Sequence, residues 1–344
     1  MPWPIDPPVK PMLSRAASAI PRGAEWLYEP KWDGFRAIVF RDGDAIKIDS
    51  RNARPLDRYF PELAAPLQAA LPDPCVADGE IIMPGESALD FEALQMRLHP
   101  AASRVAMLAV KMPATFVAFD LLHDGTADLR ARPLSLRRDR LKGTVTPNRS
   151  VILTPHTADA DEAADWFVRF EGAGLDGVIA KRRDQPYVEG ERVMVKIKHE
   201  RTADVVVGGY RIGKDGTSLG SLLLGLYDEH GTLHHVGFTS AFNAKEKREI
   251  LSMLQPLRGE GAGGFGVGRT PGTPSRWSGG KDMEWVSLQP KLVCEVAFDK
   301  LEGDRFRHGT RILRWRPDKE PRECGYDQLE PPRPFTLDEI RAIT

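Results

Sequence analysis

The chain has 344 residues, enough for two ordinary domains with separate hydrophobic cores. Its composition, 28% charged and 41% hydrophobic, is typical of a soluble globular protein. It has no apolar run of the ~20 residues that a membrane helix needs, and its proline-rich N-terminus does not predict a secretory signal. The net charge of −1 argues against a chain coated throughout by a polyanion, and three widely separated cysteines predict a reduced compartment without a metal-binding spacing.

The start of the chain predicts β-strands joined by Asp-Gly turns. An extended, proline-rich lead-in over 1–24 precedes three apolar runs, which are separated by the Asp-Gly pairs 33–34 and 42–43. Asp-Gly between alternating apolar runs is a strong hairpin signal, so both pairs predict hairpins. A third Asp-Gly, at 78–79, predicts a turn within the strand at 75–84.

Helices and strands alternate over the remainder of the first 200 residues. The apolar spacing predicts helices at 61–71, 91–98, 134–143 and 159–174. Further strands are predicted at 114–122, 175–183 and 192–199.

After residue 199 the composition changes to short apolar runs separated by glycine turns. These runs, with one helix at 243–257 capped by Asn243 and a glycine-rich loop at 259–280, predict a small β-barrel of the OB-fold type. The predicted fold class is therefore α+β. A domain with antiparallel sheets and helices spans 1–199, and a C-terminal OB-fold β-barrel domain spans 200–344.

Seven short motifs occur in a fixed order along the chain. A lysine beside Asp-Gly is usually a solvated turn, and each motif alone has a structural explanation. Six of them, all except SRN, are together hard to reach by chance in this order and spacing. The motifs are KWDGFR (31–36), SRN (50–52), DGE (78–80), FVAFD (116–120), DGVIAK (176–181), KIK (196–198) and RWRPDK (314–319).

This set resembles the motifs of covalent nucleotidyltransferases, and within them the ATP-dependent DNA ligases. KWDGFR resembles the K-x-D-G-x-R nucleotidyl motif, and RPLSLRRDRL (132–141) resembles the segment that follows the family's FD motif. The C-terminal stretch RFRHGTRILRWRPDKEP (305–321) is similar to that of the short bacterial ligases of the LigC type. The resemblance covers nearly the whole chain and implies a nucleotidyltransferase domain followed by an OB domain.

The resemblance implies that Lys31 is the catalytic nucleophile, which attacks the α-phosphorus of ATP and forms lysyl-AMP. The attacking amine must be neutral, and nearby cations favour the neutral form. Lys196 and Lys198 lie two residues apart on a predicted strand, so both side chains point to one face. There they are expected to supply positive charge near Lys31 and to neutralise the phosphates.

The family's other nucleotide contacts correspond to residues throughout the first domain. Phe119 resembles the aromatic residue that stacks on adenine, although a core phenylalanine is nearly as good an explanation. Glu29 resembles the residue that reads the adenine edge and favours ATP over GTP. Arg36 and Arg51 are expected to grip the ribose and later the 5′-phosphate of DNA.

Four further positions complete the first-domain set. Arg192 resembles another nucleotide contact, and Asp33 is expected to brace the lysine turn. Glu80 and Asp176 resemble carboxylates that contact the ribose or hold a divalent metal, Mg²⁺ or Mn²⁺. Asp176 departs from the family, which more often has Glu there, and its shorter side chain leaves its role open.

The second domain contributes a closing motif. The residues that resemble it are expected to close over ATP and to orient pyrophosphate for departure, whereas a charged edge strand is the structural alternative. They are Arg314, Arg316, Asp318 and Lys319.

The predicted partner is nicked double-stranded DNA. Basic clusters at 130–142, 181–183 and 305–316 are expected to bind phosphates without sequence preference, and the loop at 259–280 either orders over the duplex or is a tolerated insertion. A monomer in the bacterial cytoplasm, associated with the nucleoid and acting in DNA repair, is expected. An RNA ligase, a capping-type guanylyltransferase and a non-catalytic nucleic-acid-binding OB protein remain the alternatives.

Overall fold

The computed structural model divides the chain into two compact units. Unit 1 comprises Met1–Lys198 with Pro331–Thr344, and unit 2 comprises His199–Glu330. The C-terminal residues thus group with unit 1, whereas the sequence placed all of 200–344 in the second domain. The residues that the structure describes are 3–86, 88–213, 215–258, 264–265, 284–329 and 336–343.

Unit 1 contains nine strands and six helices in the described residues. Its strands are β1 (Leu13–Ala16), β2 (Trp26–Pro30), β3 (Phe35–Asp42), β4 (Ala45–Ser50), β5 (Cys75–Ile82), β6 (Thr115–His123), β7 (Val151–Leu153), β8 (Gly177–Arg182) and β9 (Arg192–Lys198). Its helices are α1 (Ala64–Ala70), α2 (Phe91–Met96), α3 (Ala102–Lys111), α4 (Leu134–Thr144), α5 (Ala160–Arg169) and, near the C-terminus, α7 (Leu337–Arg341).

The strands of unit 1 form two sheets that share a buried region. One sheet has the order β1-β9-β8-β2, and the other has the order β4-β3-β5-β6-β7. Successive residues of a strand face opposite sides of its sheet. Accordingly, Ala37 and Val39 of β3 belong to one core cluster, while Ile38 and Phe40 belong to another, which also contains Met194 of β9. Burial on both faces explains why this strand is apolar at four consecutive positions.

Two of the three predicted Asp-Gly turns are wrong. The pair 42–43 does join a hairpin, since Asp42 pairs with Ala45 and Gly43 has φ +58°. The pair 33–34 instead separates β2 and β3, which belong to different sheets. The pair 78–79 lies within the continuous strand β5.

Close backbone and ring contacts explain the two glycines that do not turn the chain. A Cβ on Gly34 would lie 2.2 Å from the carbonyl oxygen of Ile81, and a Cβ on Gly79 would lie 2.4 Å from the ring of Phe116. Both distances are far below van der Waals contact, so only glycine fits. Four further elements of unit 1 were not predicted: α3, α7, β7, and β1 within the proline-rich lead-in.

Unit 2 is built on antiparallel strands around one core. Its strands are β10 (Arg201–Ile212), β11 (Leu219–Tyr227), β12 (Leu233–Thr239), β13 (Val286–Ser287), β14 (Val293–Phe298), β15 (Leu301–Glu302), β16 (Arg305–Phe306) and β17 (Arg311–Trp315). The main sheet has the order β12-β11-β10-β14-β17, and β13 also pairs with β10.

The predicted helix of unit 2 is α6 (Ala244–Leu254). Asn243 caps it, because its side chain accepts hydrogen bonds from the backbone N–H groups of Lys245 and Glu246, and the Glu246 side chain accepts from the backbone N–H of Asn243. Most of the glycine-rich loop that follows lies outside the described residues. In the part of the chain that the structure describes, no helix has the length and apolarity needed to cross a membrane.

Candidate active site

The predicted nucleotide residues of unit 1 lie around one cleft of about 420 Å³. The cleft lies where β2, β5, β6, β8 and β9 bring distant parts of the sequence together. The predicted residues that line it are Glu29, Lys31, Arg36, Arg51, Glu80, Phe119, Arg192, Lys196 and Lys198.

Backbone pairing fixes the position of Lys31. The N–H of Lys31 donates to the carbonyl of Gly177 at 2.8 Å, and the N–H of Asp176 donates to the carbonyl of Lys31 at 2.9 Å. The loop after β2 is therefore held against the start of β8. Asp33 is buried beside it, with 5% of its surface exposed.

Asp176 holds two of the lysines in the cleft. Its Oδ2 accepts a hydrogen bond from the Lys31 Nζ at 2.8 Å and lies 3.3 Å from the Lys198 Nζ. Burial and the neighbouring charges of Lys198 and Lys31 lower the pKa of Lys196. The arrangement concentrates positive charge around the Lys31 amine, which lines the cleft. Positive groups placed in this way stabilise the negative charge of a phosphoryl group during its transfer.

Arg36 is anchored by Asp78, a residue of the DGE motif to which the sequence analysis assigned no role. Its Nε and Nη2 donate to the two oxygens of Asp78 at 2.6 and 2.5 Å, and the hydroxyl of Tyr187 donates to Asp78 at 2.6 Å. Burial alone would lower the pKa of Arg36, but the Asp78 carboxylate outweighs it and holds that pKa above its ordinary value. The Arg36 guanidinium also lies 4.5 Å from the centre of the Phe119 ring.

Glu80 follows Asp78 by two residues on β5, so both side chains lie on the same face of the strand. Burial raises the pKa of Glu80 to about 7, against the opposing charges of Arg36 and Lys31. This carboxyl group therefore changes its protonation near neutral pH.

Glu29 forms a buried ion pair at another part of the cleft. Its Oε2 lies 2.6 Å from the Nζ of Lys181, and its Oε1 lies 3.7 Å from Nη1 of Arg138. All three residues have at most 5% of their surface exposed. Lys181 is the last residue of the DGVIAK motif and Arg138 belongs to RPLSLRRDRL, so the motifs contained both residues, but no spacing rule linked them to Glu29.

Two predicted arginines lie at the more open part of the cleft. Arg51 follows β4 and is exposed, and Arg192 begins β9, where its guanidinium donates to the carbonyl of Ser14 at 3.2 Å. Within the described part of the chain neither guanidinium forms an ion pair with a carboxylate, which distinguishes them from Arg36.

The closing motif of unit 2 is organised around Asp204, another residue that the sequence analysis missed. The side chains of Arg316 and Lys319 each donate to Asp204 at 2.9 Å. Arg316 also donates to Asp318, and this hydrogen bond lowers the pKa of Asp318 to about 2. Arg314 pairs with Glu295 at 2.6 Å and is largely exposed.

The prediction that the basic clusters face DNA is wrong for three of their members. Arg137 is fully buried and donates to both oxygens of Asp120 at 2.7 and 2.9 Å, and Arg138 and Lys181 are buried as described above. Buried guanidinium and ammonium groups cannot reach a phosphate backbone. Arg311 and Arg314 of the 305–316 cluster are exposed.

The carboxylates of the cleft fit a divalent ion that is held mainly by the nucleotide. Among the described residues there is no group of three or more His, Cys, Asp or Glu side chains placed to bind a metal. Mg²⁺ in nucleotide sites is usually bound by one or two carboxylates together with phosphate oxygens and water. Glu80 and Asp176 supply two such carboxylates.

Comparisons with known proteins identify the family. The family model "ATP dependent DNA ligase domain" matches residues 11–198, and "ATP dependent DNA ligase C terminal region" matches 215–319. The chain is 52% identical to DNA ligase C of Mycobacterium tuberculosis and 47% identical to DNA ligase C1 of Mycolicibacterium smegmatis, over 99% of each chain in both cases.

A solved structure agrees at the level of the fold. The structure described as "DNA binding with a minimal scaffold: Structure-function analysis of Lig E DNA ligases" covers 89% of this chain and 99% of its own, with a TM-score of 0.54 at 18% identity. The predicted α+β class with a C-terminal OB-fold domain is confirmed. With one family model over more than half of its length and full-length relatives at about 50% identity, the chain belongs to the ATP-dependent DNA ligases, within the short bacterial LigC type.

Proposed function

We propose that this ligase seals nicks between a 5′-phosphate and a 3′-hydroxyl in double-stranded DNA through a lysyl-AMP formed on Lys31. The observation that carries the proposal is the position of the Lys31 amine. It lies in a cleft that also contains an aromatic ring, a buried carboxylate and two further lysines, all contributed by the ligase motifs. The full-length similarity to DNA ligases favours this reaction over RNA ligation and guanylyl transfer.

The first step is the attack of the neutral Lys31 amine on the α-phosphorus of ATP. The new P–N bond forms as the bond between the α-phosphorus and the bridging oxygen breaks, pyrophosphate leaves, and the proton that the nitrogen releases passes to solvent. Asp176 holds the amine in place before the attack, at 2.8 Å. Lys196 and Lys198 stabilise the negative charge that develops on the phosphates.

The rest of the cleft binds the adenosine. Phe119 stacks on the base, Glu29 reads its edge, and Glu80 accepts hydrogen bonds from the ribose hydroxyls. Arg36, Arg51 and Arg192 contact the ribose and, after the first step, the 5′-phosphate of the nick. Asp33 is buried next to the lysine loop and maintains its shape.

A divalent ion, Mg²⁺ or Mn²⁺, is the proposed cofactor. Glu80 and Asp176 would hold it together with the phosphates of ATP, and the bound ion would supply Lewis-acid stabilisation of the phosphoryl charge.

Two more nucleotidyl transfers complete the reaction. An oxygen of the DNA 5′-phosphate attacks the phosphorus of lysyl-AMP and Lys31 leaves. The 3′-hydroxyl then attacks the 5′-phosphorus and AMP leaves. Arg314, Arg316, Asp318 and Lys319 are proposed to act on the triphosphate in the first step. The proposed setting is a monomer that repairs DNA in the bacterial cytoplasm, at the nucleoid.

The test is covalent labelling with α-labelled ATP and Mg²⁺, followed by a denaturing gel. Wild type is expected to give a labelled band that pyrophosphate or nicked DNA removes, and Lys31→Ala is expected to give none. Lys111→Ala, which changes an exposed lysine at the end of α3, is the matched control and is expected to label like wild type.

Each other outcome contradicts part of the proposal. A labelled Lys31→Ala band would move the nucleophile to another residue. Labelling by GTP but not by ATP would favour a guanylyltransferase. Nick binding by wild type without label, after pyrophosphate has cleared any bound AMP, would favour a non-catalytic nucleic-acid-binding protein.

A further inference from the structure

One oxygen of the Glu29 carboxylate forms a close ion pair, and the other lacks a hydrogen-bond partner among the described residues. Its Oε2 makes the 2.6 Å ion pair with Lys181, whose ammonium also lies 4.6 Å from the centre of the Phe119 ring. Its Oε1 is buried and has no hydrogen-bond partner among the described residues. Buried polar atoms are nearly always hydrogen-bonded, so an open acceptor in a ligand cleft calls for a donor that arrives with the ligand.

Arg138 contacts both this carboxylate and the backbone of Phe119, the aromatic residue beside it. Nη1 of Arg138 donates to the carbonyl of Phe119 at 3.0 Å and lies 3.7 Å from Oε1 of Glu29. Its Nη2 donates to the carbonyl of Thr154 at 2.8 Å. A buried arginine with several fixed partners holds the ring and the carboxylate in one rigid arrangement.

The ammonium of Lys181 affects the protonation of the Glu29 carboxyl group, and protonation changes the hydrogen bonds that Glu29 can form. A buried carboxylate that loses its cationic partner is strongly destabilised and neutralises by taking up a proton. Once protonated, the carboxyl group gains an O–H donor, which the ionised form lacks. Lys181 is the nearer of the two cations, at 2.6 Å against 3.7 Å for Arg138, so its loss favours a Glu29 side chain that can also donate a hydrogen bond.

We propose that Lys181 is a positioning residue that sets the base specificity of this ligase. By keeping Glu29 as an ionised acceptor with Oε1 open, it admits a purine with a 6-amino donor and rejects a purine with a 6-oxo acceptor. A site built to accept a substrate N–H rejects an analogue that lacks it by about 10⁴-fold, because the buried acceptor then stays unpaired. The inference rests on the proposed lysyl-AMP chemistry and concerns only the choice of base.

The test compares kcat/KM for lysyl-AMP formation with ATP and with ITP, which carries a 6-oxo group and no 2-amino group. In Lys181→Met the ratio of ATP to ITP is expected to fall by at least ~10-fold, since the neutral carboxyl group can donate to the 6-oxo oxygen. Lys181→Arg keeps the cation and is expected to preserve most of the ratio. Lys111→Met makes the same chemical change at an exposed position and is expected to leave the ratio unchanged.

A residue with a purely structural role would lower both rates equally. An unchanged ratio of ATP to ITP in Lys181→Met therefore overturns the inference. If Lys181→Met does not fold, Lys181→Gln, which removes the charge but keeps a polar donor, is measured and judged in the same way. Absence of label from every nucleotide in wild type would contradict the proposed function instead, so the two failures are distinguishable.

Discussion

Glu80 combines a proposed role in binding the ribose with a pKa near neutral pH. Burial disfavours its charged form and raises its pKa from 4.5 to about 7, although Arg36 and Lys31 favour ionisation. Ionising Glu80 in the folded protein therefore costs stability as the pH rises from about 4.5 to about 7. The ionised form is the stronger hydrogen-bond acceptor and has no O–H donor of its own, so nucleotide binding should favour the higher pH.

We expect the KM for ATP in lysyl-AMP formation to rise as the pH falls through about 7. Protonated Glu80 is a weaker acceptor for the ribose hydroxyls, which gives the sign of the effect. Glu80→Gln keeps the shape of the side chain but does not titrate, so its KM should be high and nearly independent of pH in this range. The measurement is the initial rate of labelling against ATP concentration from pH 6 to pH 8.5.

Glu92→Gln supplies the control for this series. Glu92 is an exposed residue in the first turn of α2, and its loss is expected to leave the pH dependence of KM as in wild type. A wild-type inflection that persists in Glu80→Gln would assign the titration to another group of the cleft.

At the scale of elements, the sequence revealed motifs more readily than pairings. The candidate site residues could be singled out because seven of the nine that line the cleft lie within a short, ordered motif. Their partners could not, because strand pairing brings them from elsewhere in the chain. Asp78 forms hydrogen bonds with Arg36, which is 42 residues away in the sequence, and with Tyr187, which is 109 residues away.

The prediction of turns from Asp-Gly pairs failed for a related reason. Asp-Gly describes a conformation that a short peptide prefers, but a glycine is also needed wherever another backbone or ring approaches closely. Gly34 and Gly79 meet that second requirement, and only Gly43 meets the first. The sequence around the three pairs is similarly apolar, so nothing local distinguishes them. The helix at Asn243 was predictable because its cap is complete within four residues.

The closing motif offers a prediction at the same scale. Asp318→Ala removes one partner of Arg316, which then keeps only Asp204. Since the motif is proposed to act on the triphosphate, the variant should lose self-adenylation by at least ~10-fold, as expected for loss of one charged group that stabilises a transition state. Sealing of a pre-adenylated nick, which needs no triphosphate, should change much less.

The two reactions are measured separately, by labelling with α-labelled ATP and by sealing of a synthetic adenylated nick. Glu249→Ala, on the exposed face of α6 in the same unit, is the control and should leave both rates near wild type. Equal losses of both rates in Asp318→Ala would show that Asp318 supports the fold of unit 2 and has no special part in the first step.

At the scale of the whole molecule, the C-terminal residues belong to unit 1, in which the chain also begins. After unit 2, the helix α7 groups with unit 1. Its Ile340 is 1% exposed and belongs to a buried cluster with Trp32, Trp166 and Phe170. Thr336 and Glu339 form a capping box that starts the helix. Trp32 directly follows Lys31, so the C-terminal helix contributes to the core beneath the loop that carries Lys31.

Ile340→Ala should therefore destabilise unit 1 although it lies near the end of the chain. Removing a fully buried isoleucine side chain from a packed core costs about 2–5 kcal/mol in the free energy of unfolding. Ile343→Ala makes the same change three residues later, where the side chain is 37% exposed, and should cost less than about 1 kcal/mol. Urea denaturation followed by circular dichroism measures both, and hydrogen exchange of the peptide that contains Lys31 locates the effect. Similar small losses in the two variants would mean that α7 adds no packing to unit 1. A large loss in the free energy of unfolding for Ile340→Ala, with faster exchange around Lys31, would show that α7 stabilises the loop that carries Lys31.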